Sequence, residues 1–150
     1  QDVVCLDRRK KIVTDENGVI ERFGVQPTSI PDYLALVGDA ADGIPGVARW
    51  GAKGASTVLS QFSHVEDIPA DPAAWNPAPR GAKGLAENLS AAQDEVALYK
   101  ALAMLRLDVP ITETLDDLEW VGANESAYKT LCQELGFGRI SEAPTRWKDS

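Results

Sequence analysis

The sequence predicts a mainly α-helical fold with a short β element near its N-terminus. Two observations carry this prediction: apolar residues recur at helical spacing in successive stretches after residue 18, and two short apolar runs separated by a turn come before it. With 150 residues, of which 44% are hydrophobic and 25% charged, the chain is long enough to form a core.

The first expected elements are two short strands, residues 3–6 and 11–14, joined by a basic turn of a kind that is usually solvated. A short helix follows and ends at Gly24, since glycine accepts the left-handed conformation that closes many helices. Ser29 and Asp32 are expected to cap the next helix.

A tight hairpin is expected after this second helix. The helix ends at Gly38, and Pro45 and Gly46 then suit a turn, because proline fixes φ and glycine tolerates a positive φ. The next helix begins at Gly51 or Ala52 and buries residues spaced at i, i+3, i+4 and i+7. These residues are Ala55, Val58, Leu59 and Phe62.

The later part of the chain predicts a connector and further helices. Residues 69–84 are rich in proline, alanine and glycine, which excludes a long helix. Residues 94–107 predict a helix that is apolar almost all round and therefore buried. Residues 125–135 predict a last helix capped by Asn124, and the tail from Gly136 onward is mostly loop.

The cysteines and tryptophans are expected to be mainly structural. Cys5 and Cys132 lie in apolar patterns, which favours buried free thiols over a disulfide or a zinc site. Trp50 either stacks on a sugar or base or packs in the core. The other three tryptophans are expected to pack against apolar neighbours: Trp75, Trp120 and Trp147.

Two carboxylates stand beside the hairpin. Asp39 and Asp42 are three residues apart, so on a helical turn they would face the same side and offer two hard oxygen ligands to Mg²⁺ or Mn²⁺. Acidic residues near a turn are more often solvated caps, and both interpretations stay open at this point.

The hairpin also has the features of a phosphate site. Gly43, Gly46 and Gly51 leave the backbone bare enough to approach a sugar-phosphate chain. Free amides at the following helix start, together with Lys53, would attract a phosphate, and Arg49 adds a further positive charge. The same residues also suit a simple tight connection between helices.

The overall charge weighs against nucleic acid as a ligand. The formal net charge is −8 at pH 7, and non-specific DNA affinity depends on lysine and arginine. A local basic strip formed by Arg49, Lys53, Arg80 and Lys83 would offset this, with weak binding and a steep loss of affinity as salt rises. No apolar run near 18 residues and no charged-then-apolar leader occurs, so we expect a cytoplasmic protein without a membrane span.

Several of these segments together resemble the structure-specific 5′ nuclease family. That family includes the 5′ nuclease domain of bacterial DNA polymerase I, free-standing 5′→3′ exonucleases and flap endonucleases. The resemblance lies in residues 21–25, 32–39, 42–47 and 51–53, and it continues in the Arg-x-Asp-x-Pro segment at 106–110. It is far more specific than a lone glycine motif.

This resemblance implies a domain organisation. Residues 1–38 would be the end of an α/β PIN-like nuclease domain, 39–110 a helix-hairpin-helix (H3TH-type) DNA-binding region with the metal-site carboxylates, and 111–150 a C-terminal helical extension and tail. The other half of the nuclease, which carries further metal ligands in the family, would precede Gln1. The chain by itself is therefore expected to be inactive.

The resemblance also implies a function. The family hydrolyses phosphodiester bonds of duplex or branched DNA that has a 5′ end or flap, by a two-metal mechanism. Asp39 and Asp42 would be catalytic ligands of Mg²⁺ or Mn²⁺, and hairpin carbonyls would hold K⁺ or Na⁺. Seven residues would contact DNA: Gly43, Ile44, Gly46, Val47, Arg49, Gly51 and Lys53.

The chain departs from the family pattern within the hairpin. Arg49 and Trp50 stand where glycine and a small aliphatic residue are typical, and Gly43 stands where asparagine is usual. Because Arg49 occupies a position that often needs a positive φ, the hairpin is expected to be looser or differently turned. Two alternatives remain from other classes: a non-catalytic helix-hairpin-helix DNA-binding module, and an acidic protein-interaction domain.

Overall fold

The computed structural model describes residues 3–148, and most of its regular structure is helical. The strands and α-helices of that range are β1 (Cys5–Asp7), β2 (Ile12–Thr14), α1 (Glu16–Phe23), α2 (Ile30–Val37), α3 (Ala52–Phe62), α4 (Ala82–Ala91), α5 (Gln93–Ala103) and α6 (Glu125–Glu134). The expected mainly α-helical fold with a short β element is confirmed. The ends of the expected regions 1–38 and 111–150, namely residues 1–2 and 149–150, lie outside the described residues.

The chain forms two compact units, Gln1–Arg106 and Leu107–Ser150. In the first, α2 packs against both α3 and α5. Its core is made of Val25, Tyr33, Ala35, Leu36, Val47, Trp50, Ala55, Val58, Leu59, Trp75, Leu85, Ala86 and Val96. The hairpin between α2 and α3 contributes to this core, so the shape of the hairpin is fixed by packing as well as by its own turn residues.

The antiparallel pair of β1 and β2 is closed by an ordered turn. The Asp7 Oδ1 atom accepts hydrogen bonds from the amides of Arg9 at 3.0 Å and Lys10 at 2.9 Å. Because Asp7 ends the strand in this way, β1 is shifted toward the turn from the expected residues 3–6.

The cysteine prediction is half right. Cys132 is buried and has a free thiol, whereas Cys5, also free, is exposed. Cys5 is exposed because, within residues 3–148, the small sheet lacks a covering layer: Leu6 and Val13 are 60% and 59% exposed.

The helix boundaries around the hairpin agree with the prediction. α1 is followed by Gly24 with φ 71°, and α2 by Gly38 with φ 88°, both in the positive-φ region that glycine tolerates. α3 begins directly after Gly51, and Ala55, Val58 and Leu59 are buried as expected.

The expected capping role of Ser29 and Asp32 is wrong. Ser29 precedes α2 without a side-chain cap hydrogen bond, and Asp32 is fully buried. Asp32 lies three and four residues before the buried Ala35 and Leu36, so it is on the core face of α2.

Helix α5 is shorter and less buried than expected. It ends at Ala103, because Met104 adopts an extended conformation with ψ 129°. Val96 belongs to the core, whereas Leu98 and Leu102 are 56% and 66% exposed. α5 packs one face against α2, and the prediction of burial all round it is wrong.

The second unit contains α6, whose cap was predicted correctly. The Asn124 Oδ1 atom accepts a hydrogen bond from the Ala127 amide at 2.9 Å. Trp147 packs beside Tyr128, with ring centroids 5.9 Å apart. Trp120 is 64% exposed, so the expectation that it packs is wrong for that residue. Among the described helices, none is long and apolar enough to cross a membrane.

Candidate metal and nucleic-acid site at the hairpin between α2 and α3

A closed turn carries the two candidate carboxylates. The Asp39 amide donates to the Ile44 carbonyl and the Ile44 amide donates to the Asp39 carbonyl, both at 2.8 Å. Asp39 and Asp42 therefore lie on a turn closed by a β-bridge, and not on the helical turn that the spacing suggested. Gly43 allows this turn because it adopts a φ of 72°, which glycine tolerates without steric cost.

The Asp39 carboxylate organises the turn from within. Its Oδ1 atom accepts a hydrogen bond from the Ala41 amide at 2.9 Å and a longer one from the Asp42 amide at 3.4 Å. Asp39 is half-buried and Asp42 is exposed. The backbone amide of Asp42 is thus bonded to the side chain of Asp39, which holds the two residues close together. The position of the Asp42 side chain is set only by the backbone of the turn.

These two acids supply at most part of a metal-ligand set. Carboxylate oxygens suit Mg²⁺ or Mn²⁺, and neither side chain is in an ion pair within residues 3–148. Over the same residues, no group of three or more His, Cys, Asp or Glu side chains could hold a metal ion. The described His, Cys, Asp and Glu side chains therefore add no third ligand to these two acids.

Gly38 and Gly46 allow two stretches of backbone to meet. A Cβ on Gly46 would lie 2.6 Å from the Gly38 nitrogen, and one on Gly38 would lie 2.7 Å from the Ile44 carbonyl oxygen. Both glycines also have positive φ, 74° at Gly46 and 88° at Gly38. Gly46 is therefore required for packing of the hairpin against the end of α2.

Gly43 and Gly51 differ from Gly46 because they face open space. A Cβ built on either residue has no heavy atom within 4 Å of it among the described neighbours. These two glycines keep the outer surface of the hairpin bare, whereas the same prediction is wrong for Gly46, because that residue is packed against the backbone of Val37 and Gly38.

Ile44 and Val47 shape the hairpin from the inside. Their side chains are 5% and 7% exposed. The Val47 amide donates to the Leu36 carbonyl at 2.8 Å, and the Ile44 amide is used in the closed turn. Neither amide is available to donate to a phosphate.

The residues after Val47 differ in whether their N–H groups are already hydrogen-bonded. Within the described part of the chain, the Ala48 and Arg49 amides have no acceptor. Trp50 is 4% exposed and its Nε1 atom donates to the Leu85 carbonyl at 3.0 Å. Trp50 is therefore a core residue, which decides between the two roles left open for it.

The start of α3 is open and positively charged. Gly51 is its N-cap residue and provides no side-chain cap, so first-turn amides lack a side-chain acceptor. Lys53 follows in that turn and is exposed. Arg49 is also exposed and has a φ of 70°, the positive value anticipated for its position. Arg49 therefore adopts a strained backbone conformation within the turn that the Trp50 amide closes by donating to the Val47 carbonyl at 3.1 Å.

A charge network around the buried Asp32 was missed by the sequence analysis. The Asp32 carboxylate accepts from His64 Nδ1 at 3.0 Å, from the Val65 amide at 2.9 Å and from Lys100 Nζ at 2.8 Å. Lys100 also binds Glu66 at 2.7 Å. The position of Asp32 on the apolar face of α2 was the signal that could have revealed it.

The two outer members of this network have shifted pKa values. Partial burial disfavours the charge on Lys100, but its hydrogen bonds to Asp32 and Glu66 outweigh this effect and raise the pKa of Lys100. Partial burial likewise disfavours the Glu66 carboxylate, but the hydrogen bond from Lys100 prevails and lowers the pKa of Glu66. The network therefore keeps both groups charged and ties α5 to the end of α3.

The site consists of two helices joined by a glycine-framed hairpin, with paired acids at one end and an exposed cationic helix start at the other. The chain belongs to the family described as 5′-3′ exonuclease, C-terminal SAM fold, whose model matches residues 25–126. That range includes the whole hairpin. The resemblance to the 5′ nucleases is confirmed.

Similar bacterial proteins agree with this assignment. The DNA polymerase I of Bacillus caldotenax is 36% identical over 144 residues, covering 93% of this chain and 16% of that protein. The 5′-3′ exonuclease of Buchnera aphidicola is 36% identical, covering 71% of this chain and 37% of that protein. The flap endonuclease Xni of Vibrio parahaemolyticus is 35% identical, covering 75% and 40%. The chain spans less than half the length of each.

Proposed function

We propose that this chain is the DNA-binding and metal-ligating C-terminal portion of a bacterial 5′→3′ exonuclease or flap endonuclease that acts in the cytoplasm, at the nucleoid. The observation that carries the proposal is the hairpin itself. In a chain of the 5′-3′ exonuclease family, it has Asp39 and Asp42 on one turn and exposed Arg49 and Lys53 at the next.

In this proposal the outer surface of the hairpin binds the DNA backbone. The free amides of Ala48 and Arg49, the open backbone at Gly43 and Gly51, and the Lys53 ammonium supply donors and positive charge for phosphates. Ile44, Gly46 and Val47 act through the shape that they give to the hairpin. Phosphate contacts position a protein without reading bases, so the expected preference is for duplex or branched DNA with a 5′ end or flap.

Asp39 and Asp42 are the proposed ligands of Mg²⁺ or Mn²⁺. Such ions supply Lewis-acid stabilisation of the phosphodiester oxygens in two-metal hydrolysis. Within the turn, only the Oδ1 atom of Asp39 accepts hydrogen bonds, one of them from the Ala41 amide. The Oδ2 atom is therefore left for a ligand. The remaining ligands would come from the other half of the nuclease. K⁺ or Na⁺ would bind hairpin carbonyls other than that of Ala48, which accepts from Asn88 Nδ2 at 2.7 Å.

The DNA contact is tested by reversing one charge. Lys53→Glu should weaken binding of a 5′-flap duplex at least about tenfold at low salt, because it removes one phosphate contact and adds repulsion. Lys148→Glu is a matched control, since Lys148 is also exposed but lies in the other unit. Fluorescence anisotropy in EDTA measures both without metal. Equal affinities of the two variants would contradict the proposed interface.

The catalytic role is tested at Asp42. In a polypeptide that also carries the other half of the nuclease, Asp42→Asn should lower the cleavage rate by orders of magnitude while DNA binding in EDTA changes less than about twofold. An unchanged rate would contradict metal ligation. We also expect no hydrolysis by the chain alone. Metal-dependent cleavage by the pure chain would show that it needs no further ligands.

One observation favours a second candidate, a non-catalytic helix-hairpin-helix DNA-binding module. Among residues 3–148 the two aspartates have no third metal-ligating neighbour, and one oxygen of Asp39 is engaged in the turn. This candidate predicts full DNA binding. It also predicts that Asp42→Asn does not change the cleavage rate of a polypeptide that carries the other half of the nuclease. The net charge of −8 suits a third possibility, an acidic protein-interaction domain, for which Lys53→Glu would leave DNA binding unchanged.

A further inference from the structure

A cationic pocket adjoins the proposed DNA surface. Its volume is about 560 Å³, and its lining includes Arg49, Lys53 and Arg80 but no acidic residue. Within residues 3–148, none of these three side chains forms an ion pair. The pocket shares Arg49, Gly51 and Lys53 with the hairpin surface, so the two are continuous.

The pocket lies where two similar helix starts meet. The tetrapeptide Gly-Ala-Lys-Gly occurs at residues 51–54 and again at 81–84, and in both places it begins an α-helix without a side-chain cap. The two starts are adjacent, because a Cβ on Gly54 would lie 3.5 Å from Leu85 Cδ1 in the first turn of α4. Lys83 therefore repeats the position of Lys53, and both are exposed.

Arg49 connects the two starts. A Cβ on Gly84 would lie 2.7 Å from Arg49 Nη1, and a Cβ on Gly81 would lie 3.6 Å from Nη2. The guanidinium is thus seated over the beginning of α4, in space that two glycines leave empty. A cation next to the positive end of a helix is electrostatically unfavourable, and an anion between them would reverse that effect.

We propose that this pocket binds a second backbone phosphate of the DNA held by the hairpin, with Arg80 and Lys83 extending the contact made by Arg49 and Lys53. The inference rests on the proposed function and adds the connector before α4 to the interface. DNA backbone is the ligand that fits, because the pocket offers positive charge without an acidic side chain and continues a surface already assigned to phosphates. Binding there should not depend on base sequence.

The salt dependence of binding tests this site. Each lysine or arginine contact to a phosphate contributes about 0.9 to the slope of log affinity against log salt. When the salt concentration rises fourfold, a variant that lacks one such contact therefore loses about 3.5-fold less affinity than the wild type. The double variant Arg80→Ala/Lys83→Ala should therefore bind a 5′-flap duplex more weakly at low salt and with a slope lower by about 0.9 to 1.8. Both side chains are exposed, and circular dichroism checks that the fold is kept.

The matched control removes the same charge from another surface. Arg8→Ala/Arg9→Ala alters two exposed arginines in the turn between β1 and β2 and should leave the slope unchanged. If Lys53→Glu weakens binding but the Arg80/Lys83 variant has the control's slope, the second site is overturned and the proposed function stands. If neither wild type nor any variant binds the duplex, the proposed function fails first.

Amide NMR signals separate DNA from a small anion. Titration with the flap duplex should shift the amides of residues 81–84 together with those of 51–54. Shifts at 81–84 with inorganic phosphate but not with DNA would identify a small-anion pocket and overturn the proposal.

Discussion

Replacing Gly46 with alanine isolates the backbone contact that holds the hairpin against α2. Gly46 has φ 74°, and an added Cβ would lie 2.6 Å from the Gly38 nitrogen and 2.7 Å from the Val37 carbonyl oxygen. These neighbours are backbone atoms and cannot rotate away. Gly43 provides the matched control, because its φ of 72° is nearly the same and its missing Cβ faces open space.

The magnitudes follow from the two geometries. A non-glycine residue in the left-handed region costs about 1–2 kcal/mol, and both alanine variants incur that cost. Forcing atoms into packed space adds about 1–3 kcal/mol, which applies only at Gly46. Gly46→Ala should therefore lower the free energy of unfolding by about 2–5 kcal/mol, against about 1–2 kcal/mol for Gly43→Ala.

Urea titration followed by tryptophan fluorescence measures this difference. Trp50 and Trp75 are buried in the first unit, so their emission reports its unfolding once Trp120 and Trp147 of the second unit are replaced by phenylalanine in every variant compared. The midpoint should fall for both variants with an unchanged slope, and it should fall further for Gly46→Ala. Equal midpoints would refute the close approach of the hairpin to α2, and with it the packing role assigned to Gly46.

Three further predictions concern the core and the charge network. Lys100→Met should lower the unfolding free energy by about 2–3 kcal/mol, measured by urea titration, because it removes the ammonium that balances the buried Asp32 carboxylate and leaves only the bonds from His64 and the Val65 amide; no loss would contradict the ion pair. Because the pKa of Glu66 is lowered from its usual 4.5, its pairing stabilises the fold above that pH and is lost as pH falls through the folded-state pKa. Glu66→Gln should therefore reduce the loss of unfolding free energy at acid pH, by less than about 1 kcal/mol because the side chain is 63% exposed. A variant that loses more stability at acid pH than the wild type would contradict this assignment. Trp50→Phe should cost about 1–3 kcal/mol by thermal unfolding, because it removes the buried hydrogen bond from the indole to the Leu85 carbonyl, and an unchanged melting temperature would mean that this bond is dispensable.

The hairpin could be predicted from the sequence because its causes are local. Gly38 ends α2 and Gly51 precedes α3, each through conformational preferences of the residue itself. The position of the turn was predicted wrongly: the chain turns at residues 39–44 and 47–50, on either side of Pro45 and Gly46, because the Asp39–Ile44 bridge and the contact of Gly46 with the end of α2 fix residues 45–46 in place. The positive φ at Arg49 could not be predicted from arginine itself, which disfavours it; only the resemblance to the family marked that position as one that often needs a positive φ.

Features that depend on distant partners could not be predicted in this way. Asp32 looked like a helix cap, and its partners His64 and Lys100 are brought to it only when α3 and α5 pack on α2. The burial of one face of α5 depends on that same packing. The seat of the Arg49 guanidinium at the start of α4 depends on glycines far along the chain.

The most direct test of the central claim is a two-dimensional amide NMR titration of this chain with a 5′-flap duplex in EDTA. The account predicts shifts that cluster on the outer hairpin, at residues 43, 48–49 and 51–54, while the amides of α6 stay unchanged. Shifts confined to α6, or none at DNA concentrations that saturate related 5′ nucleases, would contradict the claim that this hairpin binds DNA.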